Sequence, residues 1–231
     1  MIVQVSSLCD IKNVEDVERL GVDVVGFDFR KDSSRQMKMV LSRAGIIPDY
    51  SPEVLTQMRN VDASENAYIV RTALRAGLFS DEMIQNIITR VYNFSLNIVE
   101  LGGNERPLVI DNLRKTLVPD ISTALEIRKF ATISSASDMA ELHKYDSVVD
   151  SFNLSFGSDD VAIQILNGYD LRHGFMLSFN SSNDFEKLSH LFSHEKCVGI
   201  SLNDVLEQKV GVKSIDKLQL FLSKIKNLQT L

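Results

Sequence analysis

Short apolar runs alternate with amphipathic stretches along the chain. The opening MIVQV is strand-like, and residues 13–20 repeat apolar positions at helical spacing up to Gly21. The run VDVVGFDF at 22–29 is too continuously apolar for a sheet wetted on one face, so a strand covered on both sides is expected. Residues 30–70 are less regular: a polar stretch to Arg43, a turn at 45–50, and a short helix at 51–58 begun by serine and proline. LRAGLF at 74–79 then reads as a strand, and Ser80 is placed to cap a helix over 81–94, where Met83, Ile87, Val91 and Phe94 recur at helical spacing. Strands follow at 97–101, 126–133, 146–152, 174–179 and 197–202. Between and after them, helices are expected at 108–117, 137–144, 182–192 and 214–227.

About eight strand–helix units in 231 residues have the size and rhythm of a closed (β/α)8 barrel, a TIM barrel, an α/β fold of a single domain spanning 1–231. A doubly wound open sheet is the other architecture this alternation allows. Reactive groups of such barrels sit where strands end and loops begin. That directs attention to 6–9, 29–35, 101–105, 150–157, 178–182 and 201–204.

Charge narrows the partners. The net charge is -6, and the 25 Lys and Arg are dispersed, which argues against a nucleic-acid partner. Two cysteines, Cys9 and Cys197, without a CxxC pair or histidines at ligand spacing imply neither a disulfide framework nor a metal site. No apolar leader or membrane-length run is present, so a cytoplasmic protein without a membrane partner is expected. The four histidines fall on expected helices or turns, where surface or capping roles are the ordinary reading.

The strand ends, taken in order, resemble the phosphoribosylanthranilate isomerase family of tryptophan biosynthesis. Gln4-Val5-Ser6-Ser7-Leu8-Cys9 followed by Asn13-Val14-Glu15-Asp16 is similar to that family's Lys-Ile-Cys-Gly-Ile-Thr and its Asn-x-Glu-Asp helix start. GVDVVGFDF at 21–29 resembles GADAVGFVF, Asp32-Ser33-Ser34-Arg35 the Lys-Ser-x-Arg loop, and IVELGGNE at 98–105 the motif AVQLHGDE. SVVD ending at Asp150 is similar to LLLD, and Gly211-Val212-Lys213-Ser214 to GVKD. The likeness spans nearly the whole chain.

The resemblance implies an Amadori rearrangement of an aminoaldose to an aminoketose, which needs a general acid and a general base. It places the acid at Asp150, the base at Ser6, and substrate-binding groups at Arg35, Ser178, Asn180, Ser201 and Asn203. The implied partner is a small phosphorylated sugar or related small molecule; no cofactor or metal is expected, and the oligomeric state is left open. An aspartate at a strand end is also a common turn or cap residue, and an exposed arginine is often merely solvated.

The departures are concentrated at the site. A thiol of pKa about 8.5 is ionised far more readily than the serine hydroxyl that replaces it. Cys9 lies three residues on and reads as a small half-buried thiol. The glycine-rich phosphate loops become Leu177-Ser178-Phe179-Asn180 and Ser201-Leu202-Asn203-Asp204, with Phe179 expected to fill anion space and Asp204 to repel an anion. The family's Gly-Gly-x-Gly-Lys stretch is reduced to 155–159 without its lysine, and Gly102 replaces a histidine. Two readings stand: an isomerase-family enzyme with altered or lost activity, or a catalytically inactive paralogue that binds a small molecule or a protein partner.

Overall fold

A computed structural model describes residues 1–37, 73–120, 125–181 and 183–228. The turn expected at 45–50 and the helix at 51–58 lie outside them. Eight strands close into a parallel barrel: β1 (Ile2–Leu8), β2 (Val24–Asp28), β3 (Leu74–Phe79), β4 (Ile98–Leu101), β5 (Glu126–Ile133), β6 (Ser151–Phe156), β7 (Phe175–Phe179) and β8 (Cys197–Leu202). The closing seam pairs β1 with β8 from Ile2↔Gly199 to Val5↔Leu202. The sheet is therefore closed, not open and doubly wound.

Helices return between strands: α1 (Ile11–Arg19), α2 (Ile84–Phe94), α3 (Pro107–Asp120), α4 (Ala136–Glu141), α5 (Asp159–Leu166), α6 (Phe185–Leu188) and α7 (Ile215–Leu228). Local chemistry starts several of them. Asp10 accepts from the Asn13 amide at α1, Ser158 from the Val161 amide at α5, and Ser135 forms a reciprocal capping box with Asp138 at α4. Ser80 does not cap α2; the helix opens after Met83, without a side-chain cap. A two-stranded hairpin, β9 (Glu207–Lys209) with β10 (Val212–Lys213), follows β8 and has no counterpart in the sequence reading. Among the described residues no helix is long and apolar enough to cross a membrane.

Side chains alternate between two buried faces. Outward residues such as Val5, Phe152, Leu154, Phe175 and Leu177 form the core between strands and helices. Inside the barrel, Ile2, Val24, Ala76 and Ile98 pack an apolar floor. Above it the interior turns polar: Gln4, Glu100, Arg128 and Asn153 are all 3% exposed or less.

The strand expected at 146–152 is displaced: β6 runs Ser151–Phe156. Its inward residues are Ser151, Asn153 and Ser155, so the polar side of the strand faces the barrel interior. The apolar pair Val148 and Val149 belongs to the preceding turn, whose amides bond back to Tyr145.

Candidate active site

The strand ends enclose a cavity of about 160 Å³ at the C-terminal mouth of the barrel. Ser6, Asp28, Leu78, Glu100 and Phe130 reach it from β1 to β5, and Arg30, Ser33, Arg35, Asn180, Asn203 and Asp204 from the loops. Backbone geometry shapes the wall at β1. The pairing with β2 slips between Val5 and Leu8, and Ser7 takes φ 63, a left-handed conformation uncommon for a residue with a side chain. Opposite it, Gly26 leaves room for Ser6, because a Cβ there would lie 2.7 Å from Ser6 Oγ.

Ser6 therefore stands at the mouth, as the sequence suggests, but its partners are inert. Its hydroxyl accepts from Gln4 Nε2 at 2.8 Å and shares a hydrogen bond with Ser201 Oγ at 3.0 Å. An amide donor and a second hydroxyl cannot take up its proton, so among the described residues its hydrogen-bond partners supply no activating base.

Ser178 and Ser201 belong to one row. Ser155, Ser178 and Ser201 lie in register across β6, β7 and β8. Asn180 Nδ2 donates to Ser155 Oγ at 3.3 Å, and Asn203 Nδ2 to Ser178 Oγ at 2.7 Å. The expected binding residues are thus brought together and bonded to one another.

Asp150 is not with them. It precedes β6, where its carboxylate accepts from the Ile127 amide at 2.8 Å and pairs with Arg114 at 2.9 Å. That is the N-terminal end of the barrel, opposite the cavity. The interior residue near the end of strand six is Ser155, 5% exposed. Strand six thus ends on an inward alcohol and not a carboxyl.

Arg35 does line the cavity, yet it is engaged: its guanidinium makes two hydrogen bonds of 2.8 Å to Glu207. Arg30 is likewise bidentate to Asp28, at 3.0 and 2.7 Å, and Ser33 donates to the same carboxylate at 2.6 Å. Among the described residues, Asp28, Asp204 and Glu100 against Arg30 and Arg35 leave the lining with one net negative charge.

The loops expected to cradle an anion are filled by the protein's own acceptors. Asp204 takes the Ser181 amide at 2.7 Å and the Ser181 hydroxyl at 3.2 Å. Asn183 Oδ1 takes the Asn180 amide at 3.0 Å, and the Phe179 carbonyl takes the Asn203 amide at 2.9 Å. Phe179 itself does not crowd this space. It points outward, buried with Phe185 and Phe192 at ring separations of 5.6 and 6.1 Å.

Below the hairpin, Lys213 is fully buried and donates to the carbonyls of Asn203 and Val205. Burial pushes its pKa down to about 8, although Glu207 and Asp204 pull it upward. In the unfolded chain the amine titrates near about 10.4. Between those values the unfolded state holds the extra proton, so the cost of burying the charge, at most about 3 kcal/mol, is lifted as pH rises from 8 towards 10. The melting temperature of the native protein should rise relative to that of Lys213→Met between pH 7 and pH 10. A native-minus-variant difference that stays flat or falls over that range would show the ammonium to be well solvated.

The remaining chemistry-bearing residues stand aside. Cys9 lies half-buried against the backbone of Val210 and Gly211. His143 faces Asp170, His173 the Asp146 carbonyl, His190 the Lys187 carbonyl, and His194 the Lys196 amide. Among the described residues no group of His, Cys, Asp and Glu could hold a metal. Asp28 and Glu100 escaped the sequence reading, although a lone acid inside each apolar run, VVGFD and IVEL, marks them.

No family model matches the chain. It is 23% identical over 232 residues to N-(5'-phosphoribosyl)anthranilate isomerase of Parabacteroides distasonis, covering 97% of this chain and 93% of that one. The same-named protein of Phocaeicola vulgatus is 24% identical over 233 residues, covering 98% of each. Among solved structures, a phosphoribosyl anthranilate isomerase in complex with reduced 1-(o-carboxyphenylamino)-1-deoxyribulose 5-phosphate superposes with TM-score 0.66 at 18% identity over the full length of both chains. The Thermus thermophilus enzyme gives TM-score 0.66 at 16% identity, covering 99% of this chain and all of that one. At those identities the structures establish the shared barrel.

Proposed function

We infer that this chain, a divergent relative of the phosphoribosylanthranilate isomerases, keeps their barrel but does not sustain their reaction. Its ancestry is that of an isomerase of tryptophan biosynthesis. The reading is of an inactive paralogue whose mouth binds a small molecule. The observation that carries it is Asp204, whose carboxylate occupies the Ser181 amide and hydroxyl in the loop region expected to receive phosphate.

Three further facts support it. A phosphate brings a charge of about −1.5 to −2 at neutral pH into a lining that is already negative. Both arginines of the lining hold carboxylates of the protein. The acid and base positions of the family pattern carry hydroxyls, Ser155 and Ser6, whose pKa values lie far above those useful for proton transfer near neutrality.

The test is direct. Purified protein should convert phosphoribosylanthranilate no faster than the uncatalysed reaction, and its gene should not restore growth to a tryptophan auxotroph lacking this isomerase. Robust growth, or turnover abolished by Ser6→Ala, would overturn the reading.

A further inference from the structure

Glu100 forms part of the cavity lining and is only 3% exposed. Its contacts are lopsided. Gln4 Nε2 and Asn153 Nδ2 both donate to Oε1 at 3.0 Å, and Arg128 stands 3.8 Å from the same atom. Among the described residues no donor reaches Oε2. This oxygen is reached from the cavity, where a ligand hydroxyl can donate to it in place of solvent.

The rest of the lining has a matching character. Ser6 and Ser7 bring hydroxyls, Asn203 an amide and Phe130 an aromatic ring to the same lining. A cavity of about 160 Å³ has the bulk of roughly five waters at ~30 Å³ each, suited to a small sugar without a second ring. Acceptors, donors and an aromatic wall together suit a molecule with several hydroxyls and an apolar CH face, and the net negative lining disfavours an anion.

We propose that this pocket binds a small unphosphorylated polyol or pentose, with the free oxygen of Glu100 accepting from a ligand hydroxyl and Phe130 packing on its carbon face. The proposal rests on the reading of an inactive, non-phosphate mouth, but its test is separate. Titration calorimetry of the purified full chain with D-ribose, ribitol and ribose 5-phosphate should show heat for the first two and weaker or no binding of the phosphate. Glu100→Gln keeps the shape and places a donor where the acceptor stood. It should weaken polyol binding roughly ten- to a hundredfold, the effect of losing a hydrogen bond to a charged group. Should that variant not fold, as judged by circular dichroism, Phe130→Leu should weaken polyol binding several-fold in a folded protein.

Ribose 5-phosphate binding as tightly as ribose overturns the proposal, as does the absence of binding by either polyol at 100 mM. So does unchanged affinity in folded Glu100→Gln. Isomerase turnover measured on the same preparation decides the preceding reading on its own: turnover together with Glu100-dependent polyol binding would end that reading and leave this one standing.

Discussion

Arg128→Met is expected to lower the melting temperature by about 6–20 °C. Arg128 lies inside the barrel at 2% exposure. It holds both oxygens of Glu126 at 2.7 and 2.9 Å and donates to Gln4 Oε1 at 2.8 Å. Glu100 is a further 3.8 Å neighbour. Glu100 is the buried partner left uncompensated, whereas Glu126 is partly open to water; breaking a buried pair costs about 3–5 kcal/mol, and each kilocalorie moves the midpoint by roughly 2–4 °C in a chain of this size. The origin of the loss is separable. Adding Glu100→Gln and Glu126→Gln to the methionine variant removes the stranded charges and should recover much of the stability by thermal melts. If the triple variant melts no higher than the single one, lost packing and not stranded charge is the cause.

Gly199→Ala should be at least as damaging, by more than about 4 kcal/mol. A Cβ at this position would lie 2.2 Å from the Ile2 carbonyl oxygen and 2.9 Å from its carbon. Those are backbone atoms of the seam where β1 and β8 close the barrel, at the register pair Ile2↔Gly199. No rotamer change can relieve the contact, so the strands must part. Gly157→Ala is the matched control, because its nearest neighbour is the Ser134 hydroxyl at 3.7 Å. That variant should express and melt like the parent, whereas Gly199→Ala should accumulate as insoluble protein or melt far lower. Equal melting of the two would mean the seam is more pliable than its spacing implies.

Much of the barrel was legible in the sequence because strand and helix periods differ. LRAGLF, EIRKFATI and CVGISL coincide with β3, β5 and β8. The failure at β6 has a physical cause. Its buried inner face carries Ser151, Asn153 and Ser155, so the hydrophobic pattern that marks a strand came only from the outer face, and the adjacent Val148-Val149 drew the expectation upstream. Asp150 was thereby assigned to the wrong end of the barrel. The β9–β10 hairpin was missed because its strands, Glu207–Lys209 and Val212–Lys213, are too short to show a period.

The site was legible in part. Ser6, Arg35, Asn180 and Asn203 do meet at one cavity. What the sequence concealed is pairing: nothing in it says that Arg35 would spend its guanidinium on Glu207, 172 positions away. Nor does it say which way Phe179 would turn. A strand's alternation is readable, but its phase depends on the bulge and register that closure imposes.

The mutual bonding of the β7 and β8 loops also bears on motion. Ser181 with Asp204 ties the β7 loop to the β8 loop, Asn180 with Asn183 closes the β7 loop on itself, and Arg35 of the β2 loop holds Glu207 of β9. A rim braced in this way does not wait for a guest to order it. Free and occupied forms should superpose at the β7 and β8 loops, so a guest meets that part of the rim already in its final shape.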